Sequence, residues 1–484
     1  MTGPQPQDVQ LPPGLVLTIT GRVLPRGRLL GGAPRVLLRV DETALAELRA
    51  GTPAARHPEL ARRLLQAGLA TPQPPATRTW GLADVTAVIP VKDDAARLPH
   101  ALASLAGVAA VVVVDDGSTD DTGAVARAAG ATVIRHETPQ GPAAARNAGL
   151  AVARTPLVVM VDADASAEPG WIEQLLDAFA DPAVLLAAPR VLGHDERGGT
   201  LIERYERVQN PLDQGPVAGL IGPGRDIGFV PAAALLVRRE PLLRLGGFDA
   251  SLQMGEDVDL CARASAAGWL LRYEPTVVVR HDHRTAFRSF VRRRFQYGTA
   301  GAQVHHPDLL AAIPAGGWLA AALFVVAAPR RGALVAAAAA AGATATRSTA
   351  LLLAEGVPVR DAAATSVKAE LVSARRFVGM AVRFSGLPLT SVLALRSRRA
   401  RRLLVVGSLG MHVRDHRRLR PEMGPVPFLG LRLLEESALG LGLLTVCLRL
   451  RSLRPLDPRL ALLPRRAGDE QTRLTWQAPG RRAR

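Results

Sequence analysis

Between Asp84 and about His283, short runs of β-branched and other apolar residues alternate with segments of helical apolar spacing. The alternation predicts strands at Val85–Pro90, Ala110–Asp115, Ala131–His136, Leu157–Val161 and Val184–Pro189. Between them it predicts helices over Ala95–Leu105, Thr122–Ala129, Pro142–Ala153 and Pro169–Ala180. A chain patterned in this way folds as an α/β domain, a mainly parallel, Rossmann-like sheet covered by helices on both faces. Ligands of such sheets gather beyond the carboxyl ends of the strands, so the polar residues that stop the apolar runs are the first candidates for chemistry.

The run Leu157–Val161 stops on Asp162-Ala163-Asp164. Two hard anionic ligands side by side suit Mg²⁺ or Mn²⁺, which in turn binds a diphosphate. Asp also caps helices, and Pro169 follows closely, so a simple strand-to-helix turn is the alternative. The run Val111–Val114 stops on Asp115-Asp116-Gly117-Ser118, where a carboxylate can accept a uracil imide proton or a ribose hydroxyl, or cap a helix. Gly141-Pro142 opens a helix whose N–H groups can face phosphate, with Arg146 adding a guanidinium. Gly246-Gly247-Phe248-Asp249 and Gly255-Glu256-Asp257 frame a turn ahead of a helix at Val258–Ala267. A carboxylate there suits a general base or a cap. His281 and His283 follow a strand at Thr276–Arg280 and can ligate a cation, contact phosphate, or be structural.

The flanks differ in character. Residues 1–70 read as a small winged-helix-like α+β module or a plain scaffold, with Leu15–Thr20 and Gly21–Leu30 alternating like a hairpin and helical spacing over Asp41–Arg49 and Pro58–Ala67. Residues 71–83 are a linker rich in proline and threonine, 84–300 the α/β domain, 301–466 a helical region and 467–484 a charged tail. Ile313–Ala328 and Gly332–Ala345 are apolar but shorter than the roughly 20 residues a spanning helix needs. The net charge of +17 comes almost wholly from arginine, since Lys92 and Lys368 are the only lysines. With 4% aromatics and no base-stacking signature, nucleic acid is excluded as a partner and an anionic membrane surface is favoured, with a soluble helical bundle as the alternative. Cys261 and Cys447 fit buried thiols of a reducing compartment. Met1–Gln10 lacks the basic and apolar pattern of a secretory leader, so the expected place is the cytoplasm or the inner face of the cell membrane.

Taken together, V-I-P-V-K-D-D (88–94), V-V-V-V-D-D-G-S-T-D (111–120), G-P-A-A-A-R-N-A-G (141–149), V-D-A-D (161–164), G-G-F-D (246–249) and G-E-D-V-D-L (255–260) resemble family 2 glycosyltransferases of the GT-A fold. The whole chain resembles the mycofactocin-system branch of that family. The resemblance implies that Pro90, Val91, Asp94 and Asp116 hold the uridine of a UDP-sugar, with Arg146 and Asp162 completing the donor site. It implies Asp162 and Asp164, joined by His281 or His283, as ligands of Mn²⁺ or Mg²⁺. Asp257 would be the base of an inverting transfer, with Gly247 and Glu256 bordering the acceptor. The donor implied is UDP-glucose and the acceptor a hydroxyl of a peptide-derived cofactor precursor. The N-terminal unit is similar to small peptide-recognition modules, which implies a pathway peptide as partner. Processive members usually carry Q-x-x-R-W, where this chain has Arg292-Arg293-Arg294-Phe295-Gln296-Tyr297, an argument against long-polymer synthesis. Cell-envelope polysaccharide or glycolipid synthesis, and a non-catalytic peptide-binding scaffold, are the alternative readings.

Overall fold

The computed structural model describes residues 10–24, 27–32, 36–73, 78–194, 199–252, 254–282, 286–303, 313–314, 331–354, 357–383, 398–452 and 460–461. They divide into two compact units, the first holding the chain up to Gly199 and again over Glu206–Arg284, the second holding Thr200–Tyr205 and most of the chain from Thr285.

The first unit opens with β1 (Leu17–Ile19), β2 (Arg22–Leu24), β3 (Arg28–Gly31), β4 (Val36–Arg39), α1 (Glu42–Arg49), α2 (Pro58–Gln66) and β5 (Ala70–Pro72). Asp41 caps α1, accepting the Ala44 N–H at 2.7 Å. The hairpin expected across Leu15–Leu30 is rearranged, because β2 turns back onto β3 while β1 pairs antiparallel with β5. Thr20 and Gly21 both donate their N–H groups to the Leu69 carbonyl, at 2.9 and 3.3 Å, which commits β1 to the distant strand. Thr71 and Pro72 are therefore strand residues, where composition alone reads linker. Leu48, Leu64 and Leu65 share one apolar core with Ile89 and Leu157 of the following sheet. Arg62 seals that contact, donating to both oxygens of the fully buried Asp181 at 2.9 Å.

Next come β6 (Val85–Val91), α3 (Leu98–Ala103), β7 (Ala110–Asp115), α4 (Thr122–Ala128), β8 (Thr132–Arg135), α5 (Pro142–Val152), β9 (Leu157–Val161), β10 (Ala165–Ala167), α6 (Trp171–Leu176) and β11 (Val184–Leu192). Then follow α7 (Leu201–Glu206), β12 (Gly219–Leu220), β13 (Ala234–Arg238), α8 (Arg239–Arg244), α9 (Glu256–Ala266) and β14 (Leu270–His281). The sheet order is β10-β14-β11-β13-β9-β6-β7-β8, with β12 beside β14. β8, β7, β6 and β9 run parallel, as do β11 and β14. This is the mainly parallel GT-A arrangement, with antiparallel strands the sequence did not point to: β13 lies antiparallel between β9 and β11, and β10 and β12 run antiparallel to β14. The continuous apolar runs have a plain cause. Leu157, Val159 and Val161 feed the core on one face of the sheet, and Val158 and Met160 feed the core on the other.

The second unit contains all of α7 but its last residue, together with α10 (Phe287–Gln303), α11 (Arg331–Ala354), α12 (Val359–Arg383), α13 (Arg398–Leu419) and α14 (Pro425–Leu450). The run Gly332–Ala345 lies within α11, whereas Ile313–Ala328 falls, but for its first two residues, outside the described residues. Among the described residues no helix is long and apolar enough to cross a membrane. Cys261 and Cys447 are free and buried.

Candidate active site

Parallel pairing brings the carboxyl ends of β6, β7 and β9 to one edge, with Val91 opposite Asp115 and Val88 opposite Met160. The loops after β6 and β7 are zipped together there. The Asp93 N–H donates to Ser118 Oγ at 2.9 Å, the Asp94 N–H to Thr122 Oγ1 at 3.0 Å, and the Thr119 N–H to Asp93 Oδ1 at 2.6 Å. Pro90 and Val91 are buried at the end of β6. Asp115 is fully buried and held by Ser118 and Arg135; burial opposes its charge, but these partners outweigh burial and keep its carboxyl below the usual range. Asp116 accepts the N–H groups of Gln140 and Gly141, each at 2.8 Å, and His136 Nδ1–H at 2.7 Å. In this structure its carboxylate thus fastens the Gly141 turn that starts α5.

Arg146 projects from α5 and is 3% exposed. Its Nη2 donates to Asp162 Oδ1 at 2.7 Å and its Nη1 to Glu256 Oε1 at 2.9 Å, with the guanidinium over the Phe248 ring. Its neighbour Asn147 donates to the Phe248 carbonyl at 2.8 Å and accepts the Phe248 N–H at 2.9 Å. Gly247 sits in this clamp at φ +68°, where a Cβ would stand 2.4 Å from Asn147 Oδ1, so this turn requires glycine. The segments around residues 146, 162, 247 and 256 are thereby one assembly.

The antiparallel pairing of β10 with β14 sets Ala165 opposite His281. The Asp282 N–H donates to the Asp164 carbonyl at 3.0 Å, and His281 Nε2 lies 3.2 Å from Asp164 Oδ1. One ligand atom each of Asp162, Asp164 and His281 falls within 4.8 Å of the others. Two carboxylates and an imidazole at that spacing fit a divalent cation. His283 lies outside the described residues. The two carboxylates are tuned in opposite senses. Burial, reinforced by the charge of Asp164, raises Asp162 above the usual range despite Arg146. Burial also opposes ionisation of Asp164, but the His281 hydrogen bond and charge, with Arg97, outweigh it and hold its carboxyl low.

Asp257 starts α9 beside Glu256 and accepts the Val258 N–H at 2.8 Å. Its carboxyl is pushed up to about 7 by burial and the adjacent Glu256, while the N–H groups of Val258 and Ala232 and the charge of Arg146 pull the other way. A carboxyl titrating near neutrality, at the site edge, suits proton transfer.

Residues 86–244 match the model of glycosyl transferase family 2. Pre-mycofactocin glycosyltransferase of Mycobacterium tuberculosis is 35% identical over 471 residues, spanning 93% of this chain and 99% of that protein. The chain belongs to the pre-mycofactocin glycosyltransferase family. The succinoglycan biosynthesis protein ExoU of Rhizobium meliloti is 38% identical over 204 residues, 38% of this chain and 58% of that protein. A mannosyltransferase of Pyrobaculum calidifontis, solved with GDP-Man and Mn²⁺, aligns with a TM-score of 0.38 at 22% identity over 69% of this chain and 97% of its own.

In this glycosyltransferase the structure adds site residues that the motifs did not point to. Arg97 holds Asp94 through Nε at 2.8 Å and Nη2 at 2.7 Å, while its Nη1 reaches within 3.6 Å of Asp164 and 4.0 Å of Asp282. His194 Nε2 lies 3.0 Å from Asp282. The one available signal was the H-D-H triplet, whose central Asp282 joins this network.

Proposed function

We propose that this glycosyltransferase moves a hexose from a UDP-sugar, glucose from UDP-glucose by the family relationship, onto a hydroxyl of a peptide-derived cofactor precursor with inversion at the anomeric carbon. The observation that carries the reading is Arg146, which ties the Asp162–Asp164–His281 cluster to the Glu256–Asp257 pair. Asp162, Asp164 and His281 would hold Mn²⁺ or Mg²⁺, which when bound supplies Lewis-acid stabilisation of the departing diphosphate. The loops zipped by Asp93 and Ser118 form the floor on which Pro90, Val91 and Asp94 receive the uridine, with Asp116 holding the adjoining turn. Asp257 takes the acceptor hydroxyl's proton as that oxygen attacks the anomeric carbon from the side opposite the diphosphate. A single displacement inverts the configuration. Gly247 and Glu256 border the acceptor. The N-terminal module receives a pathway peptide, and the enzyme works at the inner, anionic face of the cell membrane, in keeping with its arginine surplus.

The test is turnover of a panel of UDP- and GDP-sugars with Mn²⁺, scoring nucleotide release with and without the peptide-derived acceptor. UDP-glucose with acceptor is expected to turn over, EDTA to abolish the release and added Mn²⁺ to restore it. Turnover of GDP-sugars alone, or full activity in EDTA, would contradict the reading.

A further inference from the structure

A helix packed in water turns its apolar residues inward and its polar ones outward. Three helices of the second unit depart from this at particular described positions, although α14 also buries Phe428, Leu443 and Val446. On α14, Arg432, Glu435 and Glu436 are buried, whereas Val426, Leu433, Leu441 and Leu448 are 77, 45, 50 and 70% exposed. Those four are spaced seven or eight residues apart and so share one side of the helix. On α13, His412 is buried while Leu409 and Val413 face out; on α12, Ser366 is buried while Val367 and Leu371 face out. The inward charges of α14 have specific anchors. Glu435 accepts the Tyr205 hydroxyl and lies 2.9 Å from Arg294 Nε and 2.8 Å from Arg432 Nη1. Turning the leucines inward would break these pairs, so the outward row is fixed by the fold.

Charge identifies what covers it. Residues 285–484 carry 32 Lys and Arg against 11 Asp and Glu, whereas residues 1–284 carry 28 against 32. The chain's entire positive surplus therefore lies in the portion with the outward leucines. A second copy would set like charge against like charge, whereas an anionic bilayer offers an apolar layer under a negative surface. Among the described residues no helix is long and apolar enough to cross that layer.

We propose that the outward row of α14 lies in the headgroup layer of an anionic bilayer, with the exposed Arg449 and Arg451 at its C-terminal end on the lipid phosphates. This rests on the membrane part of the function proposed above and names the face that carries it. Flotation of the full-length protein with phosphatidylcholine vesicles, with and without phosphatidylglycerol, tests it. Wild type is expected to float with the anionic vesicles and not with the neutral ones. L433Q/L441Q/L448Q is expected to float at least about tenfold less while releasing nucleotide from UDP-glucose in vesicle-free buffer at the wild-type rate. R449Q/R451Q, which alters exposed side chains alone, is expected to float several-fold less and controls for any folding defect of the triple variant. Anionic binding unchanged in both variants would overturn this face and leave membrane binding intact. A wild type that floats with neither vesicle would overturn both; a dimer seen by light scattering and lost in the triple variant would then assign the face to a second copy.

Discussion

Asp257 and Arg146 carry most of what is specific to this site. With Asp257 as the proposed base and its carboxyl pushed up to about 7, transfer is expected to rise with pH through neutrality, because a base must be ionised to accept a proton. Arg146 pulls that carboxyl down, so R146Q should move the limb to higher pH. It also strands the buried Glu256 and the half-buried Asp162 carboxylates, so a loss of about 3–5 kcal/mol in stability should accompany the change. A pH–rate profile and a denaturant curve check the two effects separately, and R146K should restore neither fully because one ammonium cannot span both partners. Asp257 also leaves a mark on stability. Its carboxyl moves from an ordinary 3.8 to about 7 on folding, so the folded chain holds more protons between those values and stability falls as pH rises through them. D257N abolishes the ionisation, and its melting temperature should exceed wild type by about 3–5 °C at pH 8 and by less at pH 5.

Packing of α5 on β6 fixes where Arg146 points. A Cβ on Gly149 would stand 2.3 Å from Val88 Cγ1, so G149A should cost about 1–3 kcal/mol and lower the affinity for a UDP-sugar, measured by calorimetry. At this scale the sequence was legible where both faces of a strand are buried. β7 and β9 read as unbroken apolar runs up to their terminal carboxylates, and β6 as one broken only by Thr86, because each face feeds a core. β13 escaped because Ala232-Ala233-Ala234-Leu235-Leu236 has no period that separates strand from helix, and its antiparallel insertion is decided by its neighbours. His281 was legible as a residue type, but its place beside Asp164 depends on the pairing of β10 with β14, over a hundred residues away. Arg97 was not legible at all, since its role comes from the reach of a long side chain across a loop. Asp116 was legible as polar at a strand end, yet its bonds to His136, Gln140 and Gly141 follow from a turn two elements later.

Across the whole molecule, the N-terminal module and the α/β sheet share one core and one buried ion pair. R62A leaves the buried Asp181 carboxylate without its guanidinium, and a loss of about 3–5 kcal/mol is expected by chemical denaturation. The module's position on the sheet makes it an integral part of the transferase. Comparing D164N with D257N for Mn²⁺-dependent UDP-glucose binding by calorimetry, and for transfer in the same samples, separates holding the donor from taking the acceptor's proton. The expected result is that D164N loses binding and transfer together, while D257N binds the donor as wild type does and transfers about a thousandfold more slowly. Normal transfer by D257N, or unchanged donor binding by D164N, would contradict it.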